Sequence, residues 1–156
     1  MTVTELHGDL LASPHPYLLH QLNCTTRGAR GLASAIFSRW PAADAYARRA
    51  GAVSQPGTFD VTRLPDARAI VGLFAQRHPG KSRPPSDSAA ARLAWFAAAL
   101  DAFAEAELHD PALREVAVPA RIGCGLAGGD WGAYRAALEQ WAERWDVHVH
   151  IYENGS

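Results

Sequence analysis

The sequence predicts an α/β protein with three α/β/α layers, in which helices cover a mixed, largely parallel central sheet on both faces. Strand-like segments alternate with segments of helical spacing along most of the chain, an order typical of parallel sheets. The chain has 156 residues, 48% of them apolar and 20% charged, which is ordinary for a globular domain with a real core. Because no linker divides it, we expect one domain over residues 1–156.

In the first third of the chain, proline and glycine separate the predicted elements. The predicted strands are residues 3–8 and 17–23, and the predicted helices are residues 32–40 and 42–50. Residues 13–16, between the two strands, are expected to form a loop that cannot be helix interior, because Pro14 and Pro16 lack the N–H donor and clash with the preceding turn. Pro41 breaks the helical pattern and Gly51 ends it.

The rest of the chain supplies four strands and two long helices. The predicted strands are residues 58–63, 69–76, 115–120 and 147–152, and the helices extend to about residue 107 and about residue 145. The short spacing between the first two of these strands predicts a hairpin. Ser86 or Asp87 is expected to cap the first helix, and Asp130 the second. Residues 77–86 contain three prolines and three basic residues, which indicates an exposed loop.

Two glycine-containing segments lie between a predicted strand and a predicted helix, at residues 24–31 and 121–131. Glycine permits left-handed backbone and close approach of a ligand to N–H groups, and a helix N-terminus adds about half a positive charge. Ligands of parallel sheets bind beyond the carboxyl ends of the strands. We therefore expect both segments, the loop at residues 76–86 and Tyr152 to converge on one rim that binds a phosphate or diphosphate. A plain tight turn is the alternative for each segment.

Composition and charge exclude several classes of protein. A net charge of −1 and a pI near 6.6 argue against binding nucleic acid through bulk electrostatics. Cys24 and Cys124 are too few for a disulfide framework or a zinc site, and we expect buried thiols that pack in the loops. With no signal peptide and no long apolar run, a reducing cytoplasmic location without membrane contact is expected.

His148 and His150 share one face of the last predicted strand. We interpret them as an exposed strand edge, because no carboxylate or thiol at useful sequence spacing joins them. The sequence therefore predicts neither a metal nor a cofactor.

Three motifs resemble those of macrodomains, the ADP-ribose-binding family. His20-Gln21-Leu22-Asn23-Cys24, continuing through Gly28-Ala29-Arg30-Gly31, resembles the first ligand loop, and residues 122–131 resemble the diphosphate-binding loop. Gly8-Asp9-Leu10-Leu11 is similar to the early Gly-Asp-Ile motif. The motifs occur in the right order and span nearly the whole chain. The closest branch is the compact one with ADP-ribose-1″-phosphate phosphatase-like proteins and glutamate ADP-ribose hydrolases, many of them bacterial or phage proteins.

The resemblance implies where the ligand lies. The implied ligand-binding residues are Asp9, Leu10, Asn23, Arg27, Gly28, Ala29, Arg30, Gly31, Leu32, Ile122, Gly123, Cys124, Gly125, Leu126, Ala127, Gly128 and Tyr152. In the family, the carboxylate at the position of Asp9 accepts a hydrogen bond from the adenine amino group; a turn cap is the other interpretation of Asp9. Backbone N–H groups of residues 123 and 125–128 can hold a diphosphate without a metal.

Several of these residues have a second interpretation. Asn23 can hold a ribose hydroxyl or position a water, or it can be a satisfied polar residue at a strand end. Arg27 and Arg30 can meet a further phosphate or a carboxylate, or they can be solvated. Tyr152 or Phe74 can face the adenine or ribose, or can belong to the core.

The reaction is less defined than the ligand. Asn23 and Asp130 are the candidate catalytic residues, although Asp130 also suits a helix N-cap. Hydrolases that resemble this branch pair a lysine with an aspartate; Lys81 is the only lysine, and Ala127 stands where that aspartate would align. His20 and Asn23 lie three apart on one strand, so they face opposite ways in a regular strand.

The resulting prediction is a monomeric protein that binds ADP-ribose or a derivative and hydrolyses a terminal phosphate or an ADP-ribosyl linkage, with ADP-ribosylated substrates as partners. Whether it is an enzyme stays open. The alternatives are a non-catalytic reader or antitoxin-like module, and an adenine nucleotide or RNA binder that uses Arg27, Arg30, Arg77, Lys81 and Arg83 as a local basic rim.

Overall fold

The computed structural model describes residues 2–154, which form one six-stranded sheet flanked by helices. The strands are β1 (Val3–His7), β2 (Tyr17–Asn23), β3 (Thr58–Arg63), β4 (Ala69–Gln76), β5 (Glu115–Pro119) and β6 (His148–Glu153). Their order across the sheet is β1-β6-β5-β2-β4-β3. All neighbours are parallel except β3 and β4, which form the predicted antiparallel hairpin. The mixed, largely parallel sheet is thereby confirmed.

The helices complete the three layers. They are α1 (Gly31–Arg39), α2 (Ala45–Arg48), α3 (Ala89–Glu107) and α4 (Trp131–Trp145), with short 3-10 helices at Leu10–Ala12, Pro41–Ala43 and Pro111–Leu113. Helices α3 and α4 contribute to one apolar cluster and α1 and α2 to another, on opposite faces of the sheet.

Strand β2 shows how alternation builds both cores. Leu19 belongs to the cluster beneath α3 and α4, whereas Leu18 and Leu22 belong to the cluster beneath α1, because successive side chains of a strand point to opposite faces. On the α3 side, the indole Nε1 of Trp141 donates to the carbonyl of Leu100 at 2.9 Å. A buried indole with its donor satisfied adds apolar contact without an unpaired polar group.

Two predicted helix boundaries are wrong. Helix α3 is capped by Ser88, whose Oγ accepts from the Ala91 N–H at 3.1 Å, and not by Ser86 or Asp87. The Asp87 carboxylate is instead fully buried and bound to Arg92.

The predicted helix at residues 42–50 is shorter than expected. Pro41 begins a 3-10 turn, and only Ala45–Arg48 is α-helical after the cap of Asp44. Ala50 and Gly51 then take positive φ angles of 49° and 88°, which end the helix. By contrast, the Asp130 cap of α4 is confirmed, since its Oδ1 accepts from the Gly132 N–H.

The position of β6 differs from the sequence expectation. β6 lies between β1 and β5, so β1 and β3 are the edges of the sheet. His148 and His150 are half-buried inside the sheet and do not form an exposed edge.

Among residues 2–154, no helix has both the length and the apolar character that crossing a bilayer would require.

Candidate functional site

A cleft of about 1310 Å³ opens at the carboxyl ends of five strands. Because β2 and β5 are hydrogen-bonded neighbours, the segments that follow them lie side by side as its walls; we name these the β2 loop (residues 24–30) and the β5 loop (residues 120–130). The predicted ligand-binding residues that line the cleft are Asp9, Leu10, Asn23, Gly28, Ala29, Arg30, Gly31, Leu32, Ile122, Gly123, Gly125, Leu126, Ala127 and Tyr152. The rim predicted from strand ends is therefore present as one connected surface.

Three predicted ligand-binding residues lie outside this lining. The Arg27 guanidinium packs against Gly51, where an added Cβ would stand 2.5 Å from Nη2. The thiol of Cys124 is buried and donates to the Ile122 carbonyl. The N–H of Gly128 donates to the Gly125 carbonyl at 3.0 Å and so is not free for an anion.

The β5 loop presents three consecutive backbone donors. Within residues 2–154, the N–H groups of Gly125, Leu126 and Ala127 have no hydrogen-bond acceptor, and all three residues line the cleft. Free amide groups in a row attract an anion because their dipoles add and no side chain intervenes. At the tip of the loop, Leu126 is 64% exposed, and its Cδ1 lies 3.4 Å from where a Cβ of Gly31 would stand. The tip of the β5 loop therefore meets the first residue of α1, directly after the β2 loop, at the mouth of the cleft.

Two glycines hold the β5 loop against helix α4. Gly123 has a φ of +75°, and a Cβ there would stand 2.5 Å from the Tyr134 ring. A Cβ at Gly129 would stand 2.6 Å from the backbone oxygen of Gly123. Real Cβ atoms do not approach backbone as closely as one at Gly129 would, and the positive φ of Gly123 is a conformation that other residues rarely adopt. Both positions therefore require glycine for the loop to keep its shape.

The β2 loop is organised by the side chain of Asn23. Its Oδ1 accepts from the N–H groups of Thr25 at 3.0 Å and Thr26 at 2.9 Å, and from the Thr26 hydroxyl at 3.1 Å. Within residues 2–154 its Nδ2 has no acceptor, and Asn23 lines the cleft. The amide thus shapes the loop with its oxygen and leaves its N–H₂ group for a ligand.

Arg49 and Tyr46 support Asn23 from behind, and sequence reasoning missed both. Arg49 donates to the carbonyl of Asn23 at 2.9 Å and to that of Thr26 at 2.6 Å. Its guanidinium lies 4.5 Å from the Tyr46 ring centre, and the Tyr46 hydroxyl accepts from the Asn23 N–H. Burial is the main reason why the pKa of Tyr46 rises to about 12. The signal in the sequence was slight, because an arginine at the end of a short helix, such as Arg49 after α2, is normally solvated.

The far end of the cleft contains Asp9 and Tyr152. One carboxylate oxygen of Asp9 accepts from the Leu11 N–H at 2.9 Å, so Asp9 does cap a turn. Its other oxygen has no partner within the described residues, and the side chain is exposed at the cleft. The Tyr152 ring lies beside Gly8, and Tyr152 lines the cleft, whereas Phe74 is in the core and does not.

A buried ion pair anchors the rim loop at residues 77–87. Arg92 binds the Asp87 carboxylate through Nε at 2.9 Å and Nη2 at 2.7 Å. Its Nη1 also donates to the carbonyl of Gly80 at 2.7 Å and more weakly to that of Ala127 at 3.4 Å. One guanidinium therefore connects the rim loop to the β5 loop. The aliphatic part of Lys81 lies against Gly128.

The remaining titratable residues divide between the cleft and the core. His20 lines the cleft but is buried, and its ring nitrogens have no hydrogen-bond partner; burial lowers its pKa to about 4 despite the opposing charge of Asp60. Asp130 borders a separate cavity of about 200 Å³, not the cleft, and its carboxylate caps α4. Burial raises the pKa of the Cys24 thiol to about 11. Cys24 and Cys124 are thus the buried loop thiols that the sequence indicated.

Solved macrodomain structures resemble this chain over nearly its whole length. The macrodomain of DarG from Mycobacterium tuberculosis superposes with a TM-score of 0.74 at 24% identity, covering 96% of both chains. The macrodomain of Thermus aquaticus DarG gives 0.71 at 20% identity, covering 99% of this chain and 98% of that one. A Trypanosoma brucei macrodomain in complex with ADP-ribose gives 0.63 at 12% identity, covering 99% of this chain and 64% of that one.

Comparisons with protein-family models and with curated proteins give no match. The likeness is therefore one of fold: the chain has the macrodomain fold.

Proposed function

We propose that this protein is an ADP-ribose-binding macrodomain. The observation that carries the proposal is the row of three free N–H groups at residues 125–127 on one wall of a cleft whose far end holds a carboxylate oxygen without a partner. ADP-ribose is long, carries its two negative charges in the middle and has a hydrogen-bond donor on its adenine end. The T. brucei structure with ADP-ribose supports the same assignment.

At the adenine end, the free carboxylate oxygen of Asp9 accepts a hydrogen bond from the adenine amino group. The other oxygen still accepts the hydrogen bond from the Leu11 N–H. Tyr152 provides an apolar wall there. At the diphosphate, the β5 loop donates from Gly125, Leu126 and Ala127. The ribose beyond it lies between the two loops, next to the Nδ2 of Asn23.

Calorimetry with ADP-ribose tests binding, and the chain offers a matched pair of variants for the adenine contact. Asp9→Asn keeps an acceptor for the cap but presents an N–H₂ group to the adenine donor. Asp110→Asn alters an equivalent cap, on the Ala112 N–H at 3.0 Å, outside the cleft lining.

We expect Asp9→Asn to weaken ADP-ribose about tenfold, roughly 1.4 kcal/mol, and Asp110→Asn to leave it unchanged. The hypoxanthine analogue of ADP-ribose has an acceptor in place of the amino group, so Asp9→Asn should bind it better than the wild type does. No saturable heat with folded wild-type protein at millimolar ADP-ribose would overturn the proposal.

The finer proposal is hydrolysis of an ADP-ribosyl linkage or of ADP-ribose-1″-phosphate, with Asn23 positioning a water or a hydroxyl through Nδ2. The support is that Asn23 lines the cleft with this group free. Asp130 has no part in it, because its carboxylate caps α4 beside another cavity. Ala127 provides no carboxylate to pair with Lys81.

Turnover is measured with ADP-ribose-1″-phosphate and with ADP-ribosylated protein as substrates. Asn23→Ala should reduce the rate at least tenfold, while Asp130→Asn should retain it. Saturable ADP-ribose binding without turnover of either substrate identifies a reader or an antitoxin-like module. Oligonucleotide binding with a steep salt dependence, and none of ADP-ribose, identifies a nucleic-acid binder.

A further inference from the structure

Three imidazole rings form a stack outside the cleft lining. His15 and His150 have ring centres 3.7 Å apart with planes 7° from parallel, and His148 stacks on His150 at 4.0 Å. His148 and His150 project from the face of β6 opposite Val149 and Ile151, which belong to the core under α3 and α4. His15 reaches them from the loop before β2. The stack therefore joins His15 to two histidines more than 130 positions later in the sequence. Tyr152, on the same strand as those two, also forms a hydrogen bond with His15.

A carboxylate completes the group. Glu115 begins β5 and pairs in register with His148, and its Oε1 lies 3.0 Å from the Nε2 of His150. One ligand atom each of His15, His150 and Glu115 lie within 4.8 Å of one another. The expectation that no carboxylate joins these histidines is wrong, because Glu115 comes from the neighbouring strand and not from nearby sequence.

We propose that His15, His150 and Glu115 bind one divalent transition-metal ion, with Zn²⁺ as the best match. Two imidazoles and one carboxylate suit zinc, and a water fills the fourth position. Hard ions such as Mg²⁺ and Ca²⁺ prefer sites made of oxygen ligands alone. All three residues are half-buried, so an ion can enter from solvent while the ligands stay partly ordered.

Binding requires a small rearrangement of the group. Ligand atoms at about 2.1 Å from a tetrahedral ion lie roughly 3.4 Å apart. The three ligand atoms here lie within 4.8 Å of one another, and the Glu115 Oε1 and His150 Nε2 are already 3.0 Å apart. The nitrogen lone pairs of His15 and His150 lie in two nearly parallel ring planes, and one ion cannot lie in both planes, so one ring must tilt. His15 is the residue free to move, because it lies on a loop and its only hydrogen bond within the described residues is to the Tyr152 hydroxyl at 3.2 Å.

The test uses protein without a histidine tag, stripped with a chelator and titrated with Co²⁺, whose visible absorption reports its coordination; Zn²⁺ is then added as a competitor. We expect one equivalent of Co²⁺ to bind and Zn²⁺ to displace it. Each of Glu115→Gln, His15→Gln and His150→Gln should weaken Co²⁺ at least tenfold. His109→Gln is the control, because His109 is exposed on a different part of the chain, and it should bind as the wild type does.

Glu115→Gln keeps the size of a half-exposed side chain, so circular dichroism should show that this variant is folded. Its Co²⁺ affinity therefore decides whether the carboxylate is a metal ligand. No Co²⁺ spectrum at millimolar ion with folded wild type would overturn the proposal. So would equal Co²⁺ affinity of the wild type and folded Glu115→Gln. None of these readouts depends on ADP-ribose, so the metal site can fail while the proposed function stands.

Discussion

Replacing Asp87 by asparagine should destabilise the protein far more than any surface carboxylate change. The Asp87 side chain is 0% exposed and that of Arg92 only 3%. The carboxylate accepts from Arg92 twice, and from the N–H groups of Arg77 at 3.1 Å and His78 at 3.0 Å. Asparagine retains one acceptor but turns the other into a donor, which faces donors and leaves the Arg92 charge buried without its counter-ion.

The expected loss of unfolding free energy is about 3–5 kcal/mol. Two charge-assisted hydrogen bonds are worth about 1.5–3 kcal/mol each, and removal of one partner of a buried pair typically costs about 3–5 kcal/mol. Asp101→Asn is the control: the Arg144–Asp101 pair is about half exposed, so its loss should cost at most about 1 kcal/mol.

Urea unfolding followed by tryptophan fluorescence measures both variants. Burial tends to raise the pKa of Asp87, but the hydrogen bonds from Arg92 and from the Arg77 and His78 N–H groups outweigh it and hold the pKa below the ordinary 3.8. The stabilisation that the Asp87 carboxylate provides is therefore complete above pH 3.8 and is lost as the pH falls through the lower pKa of the folded state. The Asp87→Asn variant should not show this loss of stability in acid. A cost below 1 kcal/mol for Asp87→Asn at neutral pH would refute the reasoning.

Two further predictions concern the cleft. Burial lowers the pKa of His20 from 6.5 to about 4. Between pH 6.5 and about 4, the His20 imidazole is therefore protonated in the unfolded chain but not in the folded one. The free energy of unfolding should fall by about 3 kcal/mol as the pH drops through this range. His20→Leu should flatten the pH profile of unfolding, and an unchanged slope would contradict the assignment. Gly129→Ala should cost about 1–3 kcal/mol in thermal unfolding, because its Cβ meets the Gly123 oxygen. Gly125→Ala, whose Cβ meets no atom within 4 Å, should cost under about 0.5 kcal/mol; equal effects would show that the loop relaxes.

Local patterns were sufficient for most of the fold. β2 was predicted with its observed ends because a run of apolar residues between Pro16 and Asn23 fits a buried strand. The Asp130 cap and the hairpin of β3 and β4 were predictable for the same reason, since each depends only on neighbours in sequence. The position of β6 inside the sheet was not, because strand order is a property of the whole chain.

In the candidate site too, features that depend on neighbours in sequence were predictable, and features that depend on distant residues were not. Glycines at strand ends indicated the β5 loop, but not which of its N–H groups are already used, since the Gly128 bond depends on how the turn closes. The half-buried Arg49 and the buried Arg92 were missed because such arginines are recognisable only from their partners, which lie up to 35 residues away. Glu115 was missed because it joins the histidines through register across two strands.

Pairing of the first strand with the last constrains how this protein folds. Among the described residues 2–154, β1 pairs with β6 and with no other strand, and the contact between Thr4 and His148 spans 144 residues. Closing so long a loop costs entropy before any contact repays it, which slows folding. On the ribosome, β1 must wait unpaired until residues 148–153 have emerged. Asp9 follows β1 and Tyr152 lies near the end of β6, so the far end of the cleft is completed last. Hydrogen exchange should show it as the first part to open and the part that a bound ligand protects most.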